Sequence, residues 1–258
     1  MQNFNIYNLN KKISSKFPEF IKSIKLPKNK TILLISPHSD DIAVACGGTV
    51  HLLSKTNKII PLLFFTGYRG VEKADKKTGT KIREKEMQKE ARVLGIQKPF
   101  FLRLSSYERN DKMTLKSDIL KIKNYLQKYQ PDIIFLPDEN DLQPRHSLAS
   151  QMTVKAICKL SEKTRKKIFL FFYETPWSIF KNLDFNTAFL LSKNNFQTKV
   201  KAIREHKSQI KRTAFDKIAQ SLNTLRASII PEQRIGYYGS KTKSLGEYLE
   251  VFMAKSWL

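Results

Sequence analysis

The chain reads as an α/β protein: a Rossmann-like, mostly parallel sheet with helices on both faces. Short apolar runs rich in β-branched and aromatic residues recur at 31–35, 58–66, 100–104, 132–137 and 168–173, each the length of a buried strand. Between them lie stretches of helical period, and that alternation of strand and helix is the pattern of βαβ units. Two of the strand runs, 31–35 and 132–137, lead directly into polar segments that hold histidine and aspartate, where the carboxyl ends of parallel strands present side chains to a ligand crevice.

Taken in order, residues 1–30 predict an N-terminal helical arm in which Phe17, Phe20, Ile21 and Ile24 form an apolar stripe ending before Pro27. The run 31–36 is a strand, Pro37-His38-Ser39-Asp40-Asp41 a turn, and Ile42 onward a helix. A second buried strand spans 58–66, its start made irregular by Pro61. The polar loop 67–80 is placed to cover a site, and 81–94 is a charged amphipathic helix stopped by Gly95. After a strand at 100–104, the helix 116–130 puts Ile119, Ile122, Leu126 and Tyr129 on one face and ends at Pro131. A strand at 132–137, a polar loop at 138–146, a helix at 147–160 and a strand at 168–173 complete the alternation. Glu174-Thr175-Pro176-Trp177 is a loop at the crevice, followed by a short element at 186–191, a long helix at 198–219 and a C-terminal segment at 237–258. No repeat, linker or composition break divides the chain, so a single domain over 1–258 is expected.

At 258 residues the chain is long enough to bury a sizeable core. It has no apolar run of membrane-spanning length and no continuous apolar leader, and its two cysteines, Cys46 and Cys158, lack metal-binding spacing. Reduced buried thiols in a cytoplasmic protein are the expectation. The 47 Lys and Arg against 23 Asp and Glu give a formal net charge of +24, which favours anionic partners: phosphorylated small molecules, or peripheral contact with an anionic membrane. Nucleic acid is not the expected partner, because the lysines are scattered and form neither a basic arm nor an aromatic-interleaved motif. Oligomeric state leaves no mark on the sequence.

Two readings fit the turn at 37–41. His38 and Asp41, three apart, can reach one divalent cation while Asp40 handles a proton; or Ser39 and the aspartates simply cap the helix that follows. Arg83 has a similar pair of readings, since Glu86 and Glu90 lie one helical turn away. His51 reads as packing, His206 as structural or pocket-lining, and Glu174 and Trp177 either contact a sugar or are ordinary interior residues.

Several segments together resemble the LmbE-like, or PIG-L-type, family of zinc-dependent N-acetylglucosaminyl de-N-acetylases. Pro37-His38-Ser39-Asp40-Asp41 with Gly47-Gly48 is similar to the family's opening motif, and Arg83 to Glu86 with Ala91, Leu94 and Gly95 to its Arg-x-x-Glu helix. Asp141-Leu142-Gln143-Pro144-Arg145-His146 resembles its Asp-x-His-Pro-Asp-His loop, His206, Ser208 and Gln209 its His-x-Ser-Gln helix, and Tyr248, Glu250 and Phe252 its terminal signature. The resemblance implies an LmbE-like fold and a hydrolase that removes acetyl from an N-acetylglucosamine-containing small molecule or glycolipid. It implies zinc held by His38, Asp41 and His146, Asp40 as general base, and Arg83 as a cation in the substrate pocket. Two positions depart in ways that bear on chemistry. Gln143 stands where the family has a histidine and Arg145 where it commonly has an aspartate. Gln143 donates a hydrogen bond to an oxyanion but delivers no proton at neutral pH, so Asp40 would serve as both base and acid. Hydrolysis of another amide, or a catalytically degenerate member that binds an anionic ligand, are the alternatives.

Overall fold

A computed structural model of the chain describes residues 6–9, 21–160, 166–181, 184–235 and 247–257. Strands β1 (Ile6–Leu9) and β2 (Ile21–Ile24) precede the βαβ run, which opens with β3 (Thr31–Ser36) and α1 (Asp41–Ser54). It continues through β4 (Lys58–Leu63), α2 (Lys76–Leu94), β5 (Phe100–Phe101), the short α3 (Ser106–Arg109) and α4 (Lys112–Tyr129). It closes with β6 (Ile133–Pro137), α5 (Pro144–Cys158) and β7 (Ile168–Tyr173). Then come β8 (Thr187–Leu191), α6 (Lys193–Arg204), α7 (Lys207–Ile210), α8 (Phe215–Ile235) and β9 (Tyr248–Trp257).

The described strands form one sheet in the order β2-β1-β8-β9-β7-β6-β3-β4-β5. From β7 to β5 every pairing is parallel, as the sequence predicts. From β7 outward through β9, β8, β1 and β2 every pairing is antiparallel. Within the parallel part the chain leaves β3 toward β4 and β5, then returns to the other side of β3 as β6, so the winding reverses between β3 and β6. Ligands gather at such a reversal, outside the carboxyl ends of the strands.

Alternate residues of β3 feed two cores. Leu33 and Ile35 join Ile122 and Leu126 of α4 and Ala149 and Met152 of α5 on one face; Ile32 and Leu34 join Ile42 and Val50 of α1 and Ala202 and Ile203 of α6 on the other. Phe135, Phe189 and Phe252, with Phe171 packed among them, fasten the seam where parallel meets antiparallel: Phe135 stacks on Phe171 at 5.0 Å between centroids and meets Phe252 edge-on at 5.3 Å.

Several sequence expectations are corrected. The N-terminal helical arm is not found at Ile6–Leu9 and Ile21–Ile24, which are strands; Phe17 and Phe20 of its proposed stripe lie outside the described residues. The antiparallel edge of β8 offers backbone groups for pairing, and four-residue segments that begin with isoleucine satisfy them better as strands than as short helices. Helix α2 begins at Lys76, inside the expected loop, because Asp75 caps it by accepting from the Thr78 N–H at 2.9 Å. The long helix expected at 198–219 is broken into three at His206 (φ −84°, ψ 61°) and again before Phe215. Of the C-terminal segment, residues up to 246 lie outside the described set, and the remainder is β9. Both cysteines are free, with Cys46 buried and Cys158 exposed rather than buried.

Helix α1 carries a bend that bears on the site. Cys46 departs from helical geometry (φ −136°, ψ 18°), which releases backbone N–H groups just beyond it. Glu250 of β9 takes two of them, Gly48 N–H at 3.1 Å and Thr49 N–H at 2.7 Å, while Lys199 of α6 neutralises its carboxylate at 2.6 Å. Lys199 is also held by Asn223 Oδ1 at 2.9 Å and the Ala45 carbonyl at 3.2 Å. A Cβ at Gly48 would collide with Leu191 Cδ1 and stand 3.2 Å from Glu250 Oε1, so only glycine lets the carboxylate approach.

Candidate metal centre and its cleft

Pro37-His38-Ser39-Asp40 leaves the carboxyl end of β3, and its backbone is pinned on both sides. Phe64 and Phe65 N–H donate to the Ser36 and Pro37 carbonyls at 2.9 and 3.1 Å, and the Ser36 hydroxyl donates to the His38 carbonyl. Asp41 Oδ2 accepts from the His38 N–H at 2.7 Å, closing a tight turn that puts imidazole and carboxylate side by side. Asp40 occupies the N-cap position of α1 yet its side chain makes no cap hydrogen bond, and the Ser39 hydroxyl has no partner among the described residues. Simple capping therefore does not account for this cluster.

His146 lies on the first turn of α5, which starts at Pro144 and not at 147, since proline at the first helical position favours that start. Gln143 is the N-cap, its Oε1 accepting from the Arg145 N–H at 2.5 Å. The loop before it is held by Asp141: Oδ1 accepts from Gln143 N–H at 2.8 Å, and Oδ2 accepts from Thr175 Oγ1 at 2.7 Å and pairs with His146 Nδ1 at 2.9 Å. With Nδ1–H directed at a carboxylate, His146 turns its Nε2 lone pair the other way, as a metal-binding histidine requires.

That Nε2 lies 3.2 Å from His38 Nδ1 and 3.3 Å from Asp41 Oδ2, and His38 Nδ1 is itself 3.3 Å from the same carboxylate oxygen. His38, Asp41 and His146 thus converge as a candidate metal site across 108 residues of sequence. Three donors on a nearly equilateral triangle of this size fit one face of a tetrahedron with bonds of ~2.0–2.1 Å, and two imidazoles with one carboxylate suit zinc better than magnesium or calcium. Burial would depress His146, but Asp41 and Asp141 outweigh it and push its pKa up to about 10. Burial would likewise raise Asp41, yet His146 and His38 hold it well below the ordinary carboxylate range.

Asp40 is buried beside the triad and gripped by Arg83, whose Nη2 donates to Oδ1 at 2.6 Å. Against the effect of burial, that guanidinium keeps Asp40 below its ordinary value and ionised. Arg83 projects from α2, fully buried, with Glu86 3.7 Å from Nη1. Glu86 in turn accepts from the Ser208 N–H and hydroxyl, each at 2.8 Å, and Glu90 pairs with His206 at 2.7 Å. The break in the predicted long helix is what brings His206 and Ser208 onto α2. The two readings of Arg83 therefore coexist: it has its helix neighbour, and it also reaches the site. Nε and Nη1 of Arg83 have no hydrogen-bond partner among the described residues.

Gln143 Nε2 lies 3.2 Å from His38 Nε2 and lines the same cleft. His38, Asp40, Asp41 and Arg83 form its floor, and Tyr68, Arg69, Gly70, Arg145, Trp177 and Gln209 its walls. Gly67, at φ +62°, lets the loop pass over the floor; a Cβ there would sit 3.5 Å from Arg83 Nε and 3.7 Å from His38 Cδ2. Trp177 is exposed at the cleft, whereas Glu174 is buried in an ion pair with Arg226 at 2.6 Å and does not face it. His51 packs, its Nδ1 at 3.2 Å from the Leu94 carbonyl, and His206 is structural. Asp141 and Gln209 entered the sequence reading only as motif positions and Thr175 only as part of a crevice loop, none with a role, while Tyr68 and Arg69 were not singled out. Asp141 had a signal, an aspartate five residues ahead of a ligand histidine; the others arrive through tertiary contacts.

Residues 33–157, just under half of the chain, match the sequence profile of the PIG-L family, described as GlcNAc-PI de-N-acetylase. That span contains the triad, Asp40, Arg83 and Gln143. Over 151 residues the chain is 29% identical to a probable N-acetyl-alpha-D-glucosaminyl L-malate deacetylase 2 of Bacillus cereus, covering 53% of this chain and 65% of that one, slightly less than two thirds of its length. It is 25% identical over 191 residues to a diacetylchitobiose deacetylase of Thermococcus kodakarensis, covering 70% of each. Among solved structures, N,N'-diacetylchitobiose deacetylase from Pyrococcus horikoshii superposes with a TM-score of 0.68 at 22% identity, covering 88% of this chain and 84% of that one. The mixed sheet with flanking helices, parallel from β7 to β5, is thus the fold of that diacetylchitobiose deacetylase.

Proposed function

We propose that this protein, whose residues 33–157 match the PIG-L family profile, is a zinc-dependent hydrolase that removes the N-acetyl group from an N-acetylglucosamine-containing substrate. The observation that carries the proposal is the convergence of His38 Nδ1, His146 Nε2 and Asp41 Oδ2 on one point, beside a buried, ionised Asp40. Zinc bound there supplies a Lewis acid that lowers the pKa of water toward ~7 and polarises an amide carbonyl.

The chain's own residues have distinct tasks. Asp40 is the general base: Arg83 occupies its Oδ1, fixing the carboxylate's plane and leaving Oδ2 free to take a proton from water. Gln143, held by its cap bond to Arg145 N–H, presents its amide N–H₂ beside His38, where it can donate to the carbonyl oxygen as negative charge develops. It carries no transferable proton, so Asp40 returns the proton it took to the departing amine. Acetate and a free amino sugar are the products. Asp141 and Thr175 act through His146, fixing which nitrogen faces the cleft. A reducing cytoplasmic setting, in which Cys46 and Cys158 remain thiols, belongs to the same proposal.

Elemental analysis of the purified protein and acetate release from a panel of N-acetylglucosamine compounds test the reading together. One zinc per chain, lost in His146→Ala, is expected, with acetate release that a chelator abolishes and added zinc restores. Asp40→Asn should keep the metal while turnover falls by ~10²–10⁴-fold. Turnover undiminished in Asp40→Asn would remove Asp40 as the base, and a metal-loaded protein inert toward every acetamide would leave the binding-protein alternative standing.

A further inference from the structure

Helix α4 has a face that the metal centre does not use. Its inner side carries Ile119, Ile122 and Leu126 into the core. On the opposite side Met113 is 82% exposed and Leu120, two turns further on, is 54% exposed. Among the described residues, no other helix displays two large apolar side chains to solvent. At about 3.6 residues per turn, Lys116 and Lys123 fall on one flank of that pair and Lys121 and Lys128 on the other. The single carboxylate within α4, Asp118, is buried and accepts from the Ser105 and Ser106 N–H groups at 2.9 and 2.8 Å, with Lys121 at 3.6 Å. Asp111, at the N-cap, is spent on the Thr114 N–H and hydroxyl. At the far end Lys58 joins Lys128 over the Tyr129 ring, 5.7 and 5.2 Å from its centroid. The face is therefore apolar along its middle and cationic along both edges.

That distribution is complementary to a surface with hydrocarbon below and negative charge above, since lysine stems reach past an apolar centre to anionic headgroups. Nucleic acid would leave Met113 and Leu120 unused, and the two aromatic rings of α4, Tyr125 and Tyr129, are packed against each other and Phe100 instead of standing free for bases to stack on. Another exposed apolar pair, Leu142 and Ile179, borders a groove with Asp138, Glu139 and Asp184, whose charge an anionic surface repels. We propose that α4 is a docking face for an anionic lipid bilayer, lying in the headgroup plane with Met113 and Leu120 inserted and its lysines beside the lipid phosphates. Glu108, on the cleft wall, is five residues before Met113, at most ~18 Å along the chain, so docking keeps that wall near the lipid surface. The inference goes beyond the hydrolase reading and stands without it.

The test sediments the full-length protein with vesicles of phosphatidylcholine mixed with phosphatidylglycerol, and with vesicles of phosphatidylcholine alone. The mixed vesicles should bind at least ~10-fold more tightly, and that binding should fall as salt rises from ~0.1 to ~1 M, where the screening length contracts from ~10 to ~3 Å. A lysine near an anionic surface contributes about fivefold, so Lys116→Gln with Lys123→Gln should weaken binding by ~25-fold. Lys81→Gln with Lys85→Gln removes the same charge from the exposed side of α2 and should weaken it by less than ~3-fold. Met113→Ser with Leu120→Ser leaves the charge unchanged and should weaken it by ~10-fold. Circular dichroism and thermal unfolding of these surface variants should match the parent. Equal binding to the two kinds of vesicle, or equal losses in the α4 and α2 lysine variants, would overturn the proposal. So would binding unchanged by Met113→Ser with Leu120→Ser, which is charge attraction without a docked face. Capture of a single-stranded oligonucleotide in place of the mixed vesicles, weakened by the α4 lysine changes, would give the face to nucleic acid instead.

Discussion

At the scale of single residues, the chemistry turns on how each polar side chain is held. Gln143 is held by the Arg145 N–H it caps, with its Nε2 beside His38, and it has no proton to give. Gln143→His places a titratable ring at the same N-cap. If leaving-group protonation limits turnover, kcat should rise by ~10-fold or more with the metal content unchanged, as steady-state kinetics would read; a flat result assigns proton return to Asp40 alone. His51 makes a pH prediction. Burial lowers its pKa from 6.5, with the Leu94 carbonyl opposing and Lys55 adding to the shift, so the fold prefers the neutral ring. The unfolded chain then binds more protons, and the His51 contribution to stability, complete above pH ~6.5, is lost as pH falls through the lower native pKa. Thermal unfolding between pH 8 and 5 should show that decline, and His51→Gln should flatten it. His38 and Asp41 were legible from the polar turn after an apolar strand, and His146 through the resemblance of its loop to the family motif. The grip of Arg83 on Asp40 was not, since residues 43 apart on different elements meet only when α2 packs beside α1.

At the scale of elements, strands and the helices between them announced themselves by period and by Gly or Pro stops, while the irregularities that matter did not. Nothing in Cys46-Gly47 says that α1 bends there, because the acceptor for the freed N–H groups, Glu250, is about two hundred residues away. The break at His206 was equally hidden, for the apolar pattern of α6 runs on without a breaker residue and is overridden by the bonds to Glu86 and Glu90. Asp75 and Asp111, each accepting from a threonine N–H three residues on, start α2 and α4 at Lys76 and Lys112, ahead of the 81 and 116 read from the sequence. The Lys199 and Glu250 pair under α1 is almost wholly buried, so removing one charge strands the other. Lys199→Met should cost ~3–5 kcal/mol in urea unfolding, and the double variant with Glu250→Gln should recover part of that loss. Equal stability of wild type and single variant would mean that the carboxylate finds another partner.

At the scale of the whole molecule, the topology makes the site and the charge feeds it. His38 and His146 hang from the carboxyl ends of β3 and β6, neighbours paired in register from Ile32 and Ile133 onward, so the spacing of two adjacent strands sets the reach between the ligands. That much follows from the βαβ pattern; the antiparallel half of the sheet does not, because edge strands added from the N-terminus and the chain's last segment have no periodic signature of their own. The net charge of +24 surrounds a cleft already rich in guanidinium groups. Capture of an anionic acetamido sugar should therefore slow as salt rises from ~0.01 to ~0.1 M, where the screening length contracts from ~30 to ~10 Å. A neutral analogue should be less affected, and identical salt profiles for the two would detach the global charge from substrate capture.

Strand β9 is the final strand in the sequence yet sits inside the sheet, between β8 and β7, and it delivers the carboxylate on which the bent α1 rests. During synthesis, the turn that carries His38 and Asp41 is therefore translated long before its support exists. A polypeptide truncated before residue 250 keeps both histidines but loses the carboxylate beneath α1, so the zinc proposed for the triad should be held less firmly there than in the full-length protein.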